Sequence, residues 1–129
     1  MNMKALYSLA LVAALATGNA YAACSYPAEP DALPDGSTAT LEQMVTAQKS
    51  VKAFDEAINA YTSCLKLESD AALAKVADSS GDAKKKDEQK KELERMQIQK
   101  HNAAVEADEA LAARFNEQLK SYKAKNKKS

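Results

Sequence analysis

From Met44 onward, apolar residues recur at alternating steps of three and four: Met44, Ala47, Val51, Phe54, Ile58, Tyr61 and Leu65. An α-helix turns once every 3.6 residues, so this spacing lays all seven along one face as a heptad-like seam. Just ahead of it, Thr40-Leu41-Glu42-Gln43 fits a capping box. In that motif the Thr40 hydroxyl accepts from the Gln43 amide and the Gln43 side chain reaches back. Glu42 puts a negative charge in the first turn, where the helix dipole favours it. The seam thins through Ala71, Ala72 and Val76 and stops at Asp78-Ser79-Ser80-Gly81-Asp82. There Gly suits a helix C′ position, and Ser or Asp suits the next N-cap. A second stripe follows: Leu93, Met96, Ala104, Ala107, Leu111, Phe115, Leu119 and Tyr122, interrupted by Lys100. Its opening turns are fully charged, with Asp87/Lys91 and Glu92/Arg95 at the ion-pair spacing of an exposed helix. Helices joined by so short a connection pack as antiparallel neighbours. The pattern predicts an all-α chain built as a long, coiled-coil-like antiparallel hairpin. Its helices span 40–78 and 83–123, with a turn at 79–82 and a basic tail at 124–129.

Upstream the pattern changes twice. Residues 25–37 hold all three prolines, Pro27, Pro30 and Pro34. Each fixes φ and lacks an N–H donor, so neither a helix nor a central strand suits this stretch. Pro34-Asp35-Gly36 reads as a type I turn with Pro at its second position and Gly at its fourth. Tyr26 and Leu33 add two apolar anchors, so residues 23–39 read as an ordered strap laid on the helices. Earlier still, Lys4 precedes an apolar run from Ala5 to Ala16, and Ala20-Tyr21-Ala22 matches a small-x-small cleavage site. The run is shorter than the roughly 20 apolar residues that cross a bilayer. Residues 1–22 therefore read as a Sec signal peptide, which predicts export to the periplasm and a mature chain starting near Ala23.

Export changes how the two cysteines are read. Cys24 and Cys64 form an even pair in an oxidising compartment, where the first expectation is a disulfide. With a helix starting near Thr40, Cys64 lies about 36 Å along its axis at 1.5 Å per residue. An extended, polyproline-like chain from Cys24 to Thr40 spans about 50 Å, so the strap reaches if it doubles back along the helix. In the chain-entropy account, closing a loop of about 40 residues stabilises a fold by roughly 4 kcal/mol. Acylation of Cys24 is the alternative. Ala22 and Ala23 suit a lipobox, but Tyr21 stands where a Leu-like residue belongs.

Composition narrows the function classes. Without residues 1–22, roughly 107 remain, enough for one domain. Aromatic residues make up 5% of the chain and Trp is absent, too few for a sandwich or an α/β core. Basic and acidic residues number 18 each, so no nucleic-acid partner is expected. Lys120, Lys123, Lys125, Lys127 and Lys128 gather at the C-terminus. They suit weak contact with an anionic envelope surface, or they complement the helix dipole as a frayed end. His101 stands seven residues from both Glu94 and Asp108, about 10.5 Å of helix rise each way, too far to share one ion. No serine sits in a nucleophile elbow, and no glycine-rich phosphate loop is present. The sequence predicts no catalytic residue, no cofactor and no metal site.

One set of residues carries a resemblance. It comprises Cys24-Ser25-Tyr26-Pro27 with Pro30 and Pro34-Asp35-Gly36, then Thr40, Met44, Gln48 and Val51, and finally Tyr61-Thr62-Ser63-Cys64-Leu65. Over roughly Cys24 to Leu67 the chain resembles a group of small exported helical proteins of Gram-negative bacteria. The resemblance implies a disulfide-stapled periplasmic helical protein and implies no activity. Two seams supply only about fifteen medium-sized apolar residues, which leaves each stripe of a lone hairpin half exposed. The expected function is protein interaction or self-association along that stripe. The alternative is an envelope-surface or lipid-associated role.

Overall fold

The computed structural model describes residues 23–127, and the predicted signal peptide at 1–22 lies outside them. Two helices carry most of the described chain: α1, Leu41–Asp78, and α2, Ala83–Asn126. At 1.5 Å per residue they are about 57 and 66 Å long. The capping box forms where the sequence places it. Gln43 N donates to Thr40 Oγ1 at 3.2 Å, and Thr40 N donates to Gln43 Oε1 at 2.9 Å. These bonds satisfy amides that a helix start leaves without an intrahelical partner.

The connection differs from the expected glycine cap. α1 ends at Ser79 in an extended conformation, and the Ser79 hydroxyl donates to the Val76 carbonyl at 2.7 Å. No described glycine has a positive φ, so Gly81 is not a left-handed C′ residue. A serine side chain takes the free carbonyl instead. Asp82 caps α2 by accepting from Lys84 N at 3.3 Å, and Lys86 Nζ donates to the Ala77 carbonyl at 3.2 Å.

α2 runs past position 123 to Asn126, so residues 124–126 belong to the helix and not to a tail. The apolar stripe stops at Tyr122, which is why the sequence marks an end there. Polar contacts hold the extra turn. Lys125 Nζ donates to the Ala39 carbonyl at 3.0 Å and lies 5.8 Å from the Tyr122 ring centre. Asn126 Nδ2 donates to the Tyr122 carbonyl at 3.0 Å.

The helices pack on each other as a hairpin. Ala39, just before α1, meets Lys125 near the end of α2, while Ala77 near the end of α1 meets Lys86 near the start of α2. Of the predicted seam, Met44, Ala47, Phe54, Ile58 and Leu65 are buried, and Val51 and Tyr61 are half-buried. From α2 come Ala104, Leu111 and Phe115. Met44, Ala47 and Phe115 cluster with Ala39, and Phe54 and Ile58 with Ala104 and Leu111; Leu33 from the proline-rich segment packs against both clusters. Beyond Leu65 on α1 and before Ala104 on α2, no described residue is buried. The core occupies one half of the hairpin.

Candidate functional site

Cys24, Tyr26, Glu29, Leu33 and Gly36 each contact one or both helices. Cys24 and Cys64 are joined by a disulfide with α-carbons 5.8 Å apart. Tyr26 meets Tyr61 of α1 edge to face, with ring centres 5.2 Å apart. Glu29 accepts from Arg114 of α2 at 3.3 Å. Gly36 N donates to Gln118 Oε1 of α2 at 2.9 Å. With the Cys24 sulfur bonded to Cys64, the atom that acylation would need is taken.

The turn before α1 begins at Asp35, two residues later than the sequence places it. The Asp35 carbonyl accepts from Thr38 N at 3.1 Å and from Ala39 N at 2.8 Å. Its carboxylate accepts from the Ser37 hydroxyl at 2.6 Å and from Ser37 N at 2.8 Å. Those two bonds, helped by the charge of Lys125, hold the Asp35 carboxyl below its ordinary pKa. Gly36 sits inside this turn for a steric reason. A Cβ there would collide with the Gln118 carbonyl oxygen and lie 3.0 Å from Tyr122 N. Only glycine lets the backbone come this close to α2.

Past the disulfide the same side of the hairpin stays open. Steps of four and three from Gln118 and Arg114 lead through Leu111, Ala107 and Ala104 to Lys100, Gln97 and Leu93. On α1, Tyr61 and Cys64 lead by the same steps to Glu68. Of these, Glu68, Leu93, Gln97 and Lys100, with Leu65, Ser69, Ala72 and Met96, line a recess of about 70 Å³. Nearby apolar side chains remain in solvent: Met96 is 38% exposed, Ile98 56% and Leu67 68%. A wider recess of about 400 Å³ opens between residues 31–34 and the first turns of α1, with Asp31 and Glu42 on its rim. Among the described residues no group of three or more His, Cys, Asp or Glu could hold a metal.

One acidic pair escaped the sequence reading. The hairpin brings Asp55 of α1 and Asp108 of α2 close to each other across the helices. Burial pushes the Asp108 carboxyl above the ordinary carboxylate range, and the hydrogen-bonding Asp55 carboxyl and the charges of Asp55 and Glu109 push the same way. Asn59 Nδ2 also donates to Asp55 Oδ1 at 3.4 Å. The signal that finds this pair is the register set by the turn, which aligns Ala77 with Lys86, Asp55 with Asp108 and Ala39 with Lys125.

The C-terminal lysines divide. Lys120 pairs with Glu117 at 2.8 Å, and Lys125 is held by Ala39. Lys123 and Lys127 are exposed, and Lys128 lies outside the described residues. His101 is half-buried on α2. Among the described residues no helix is long and apolar enough to cross a membrane. Compared with known proteins, the chain matches no family model, no curated protein and no solved structure.

Proposed function

We propose that this chain is an exported, non-enzymatic periplasmic protein that works by holding another protein chain. The strap and disulfide make one half of the antiparallel hairpin a firm base, and the other half is the contacting arm. One observation carries this reading: Tyr26, Glu29, Leu33 and Gly36 contact the helices in the base, while in the arm Ala72, Leu93 and Met96 line an open recess. Exposed apolar side chains on an arm without a core of its own are what a partner would cover. The signal-like residues 1–22, the oxidised cysteine pair and the resemblance to small exported helical proteins support the compartment.

Photocrosslinking in cells tests the reading. A photoreactive residue in place of Met96 is expected to capture a partner, and one in place of Lys52, on the outer face of the base, is not. Equal capture at both positions, or none at either, overturns it. Mass spectrometry of the purified chain tests export, with an Ala23 start and no lipid expected. A diacylglycerol mass on Cys24 would replace this reading with the lipid-anchored one.

A further inference from the structure

We propose that residues 24–32 are a redox-released strap: reduction of the Cys24–Cys64 bond by a dithiol frees them from the helices, while the Asp35 turn, α1 and α2 stay in place. This behaviour goes beyond the partner contact proposed above and does not depend on it.

The segment is anchored unevenly. At its downstream end Leu33 packs against both apolar clusters, and buried Gly36 donates to Gln118 Oε1 at 2.9 Å. The Asp35 carbonyl there accepts from Thr38 N and Ala39 N. Upstream, among the described residues, no backbone–backbone hydrogen bond reaches residues 24–34, and Pro27 and Pro30 have no N–H to offer. Apart from the disulfide, the contacts here are slight. Tyr26, 49% exposed, meets the edge or face of Tyr61, and Glu29 pairs with Arg114 at 3.3 Å. Both side chains of that pair stand well out in solvent, where an ion pair adds little. Residues 31–34 also stand off the first turns of α1 across the recess of about 400 Å³.

Once the bond is cut, Cys24 hangs from Leu33 on residues 25–32 alone. A flexible tether of that kind holds two thiols at an effective concentration on the order of millimolar. A bond closed by so loose a tether is readily reduced, unlike one whose cysteines the fold itself holds together. Both cysteines are half-buried, within reach of a thiol from solvent. One thiolate of the dithiol attacks a sulfur of the bond, and the other cysteine leaves as a thiolate and takes up a proton. The second thiol of the dithiol loses its proton, attacks the mixed disulfide and releases the first cysteine, which is protonated in turn. Two electrons pass to the cysteines, and the dithiol departs as a disulfide. Leu33 lies outside the released stretch, so both clusters keep its contact, and α1 keeps its Thr40–Gln43 cap.

Nuclear magnetic resonance of the isotope-labelled mature protein, before and after addition of dithiothreitol, tests this. Backbone order parameters over 25–32 should fall below about 0.6 on reduction, while amide shifts over 41–78 and 83–126 stay helical. Oxidised glutathione, added once the reductant is removed, should restore the ordered strap. Cys64→Ser should match the reduced protein with no reductant present. The rate of reduction should change by less than about twofold with urea below the unfolding transition, since local opening exposes little surface. A strap that stays ordered after reduction overturns the inference, because other contacts then hold it. Loss of the helical shifts on reduction also overturns it, because the bond would then support the whole fold. So does a reduction rate that climbs with urea in step with the unfolded fraction, since the sulfurs would then be reached only through global unfolding.

Discussion

The two halves of the hairpin are built from the same two helices, yet only one has an interior. Near the start of α1, Leu33 and Ala39 add a third layer, and Met44, Ala47, Phe54, Ile58, Leu111 and Phe115 become buried beneath it. Near the turn there is no third layer, and residues of equal apolarity such as Leu93 and Met96 stay half-buried or exposed. Two cylinders touch along a line, so a pair of helices alone can shelter only the side chains on that line. The core follows the helix sequences, whose apolar stripes thin beyond Leu65 and before Ala104, together with the contacts that Leu33 and Ala39 add.

The largest effect should come from deleting volume in one half and not the other. Phe54→Ala is expected to lower stability by about 4 kcal/mol, and Met96→Ala by less than about 0.5 kcal/mol, in urea unfolding of the oxidised protein. Equal losses would mean that the far half has a core after all.

Removing the tether of the third layer comes next. Cys64→Ser should cost roughly 3 kcal/mol while helical circular dichroism falls little, since α1 keeps its cap and its seam. Hydrogen exchange should quicken over 41–60 and stay unchanged over 84–98. Faster exchange throughout would show that the staple supports both halves.

A matched pair of glycines sharpens the contrast further. Gly36→Ala forces the turn away from Gln118 and should cost about 2 kcal/mol. Nothing lies within 4 Å of the position a Cβ would take at Gly81, so Gly81→Ala in the far half should stabilise by about 0.5 kcal/mol. The helix caps should differ in the same sense but less. Thr40→Ala breaks a two-bond capping box and should cost about 1 kcal/mol, against about half that for Asp82→Ala.

The smallest effect is a pH dependence. The folded pKa of Asp108 is raised, so its ionisation opposes folding above that pKa, and the penalty fades as pH falls through it. Asp35 and Glu92 have lowered pKa values; their contributions are present above the unfolded carboxylate pKa and vanish as pH drops through the folded one. Asp108→Asn should therefore raise the melting temperature slightly at pH 7 and leave it unchanged near pH 3. A lowered melting temperature at pH 7 would mean that the Asp55 carboxylate is stabilised by Asp108 and not repelled.

The parts legible in the sequence are those fixed by local spacing. The seam from Met44 to Leu65 follows from helical period, the Thr40–Gln43 cap from a four-residue motif, and the staple from two cysteines with a chain long enough to join them. Gly36 against Gln118, Glu29 against Arg114 and Asp55 against Asp108 were not legible, because each joins residues far apart in sequence. Those contacts depend on register, which the turn sets only once its own geometry is known. Lys125 shows the same limit. Its capture by Ala39 extends α2 where composition alone marks a tail.

The Cys24–Cys64 bond also decides how the chain would carry mechanical load. Tension applied at the N-terminus enters α1 at Cys64 through the covalent link and bypasses the 40-residue separation between the bonded cysteines. That loop holds about 140 Å of contour length at roughly 3.5 Å per residue, none of which can be drawn out while the bond is intact. A pull between the two ends would peel the far half of α1 and then α2, and leave the first 24 residues of α1 slack inside the loop. In an oxidising compartment the molecule is therefore shorter when stretched than its sequence implies, and adding a thiol lengthens it without cutting the backbone.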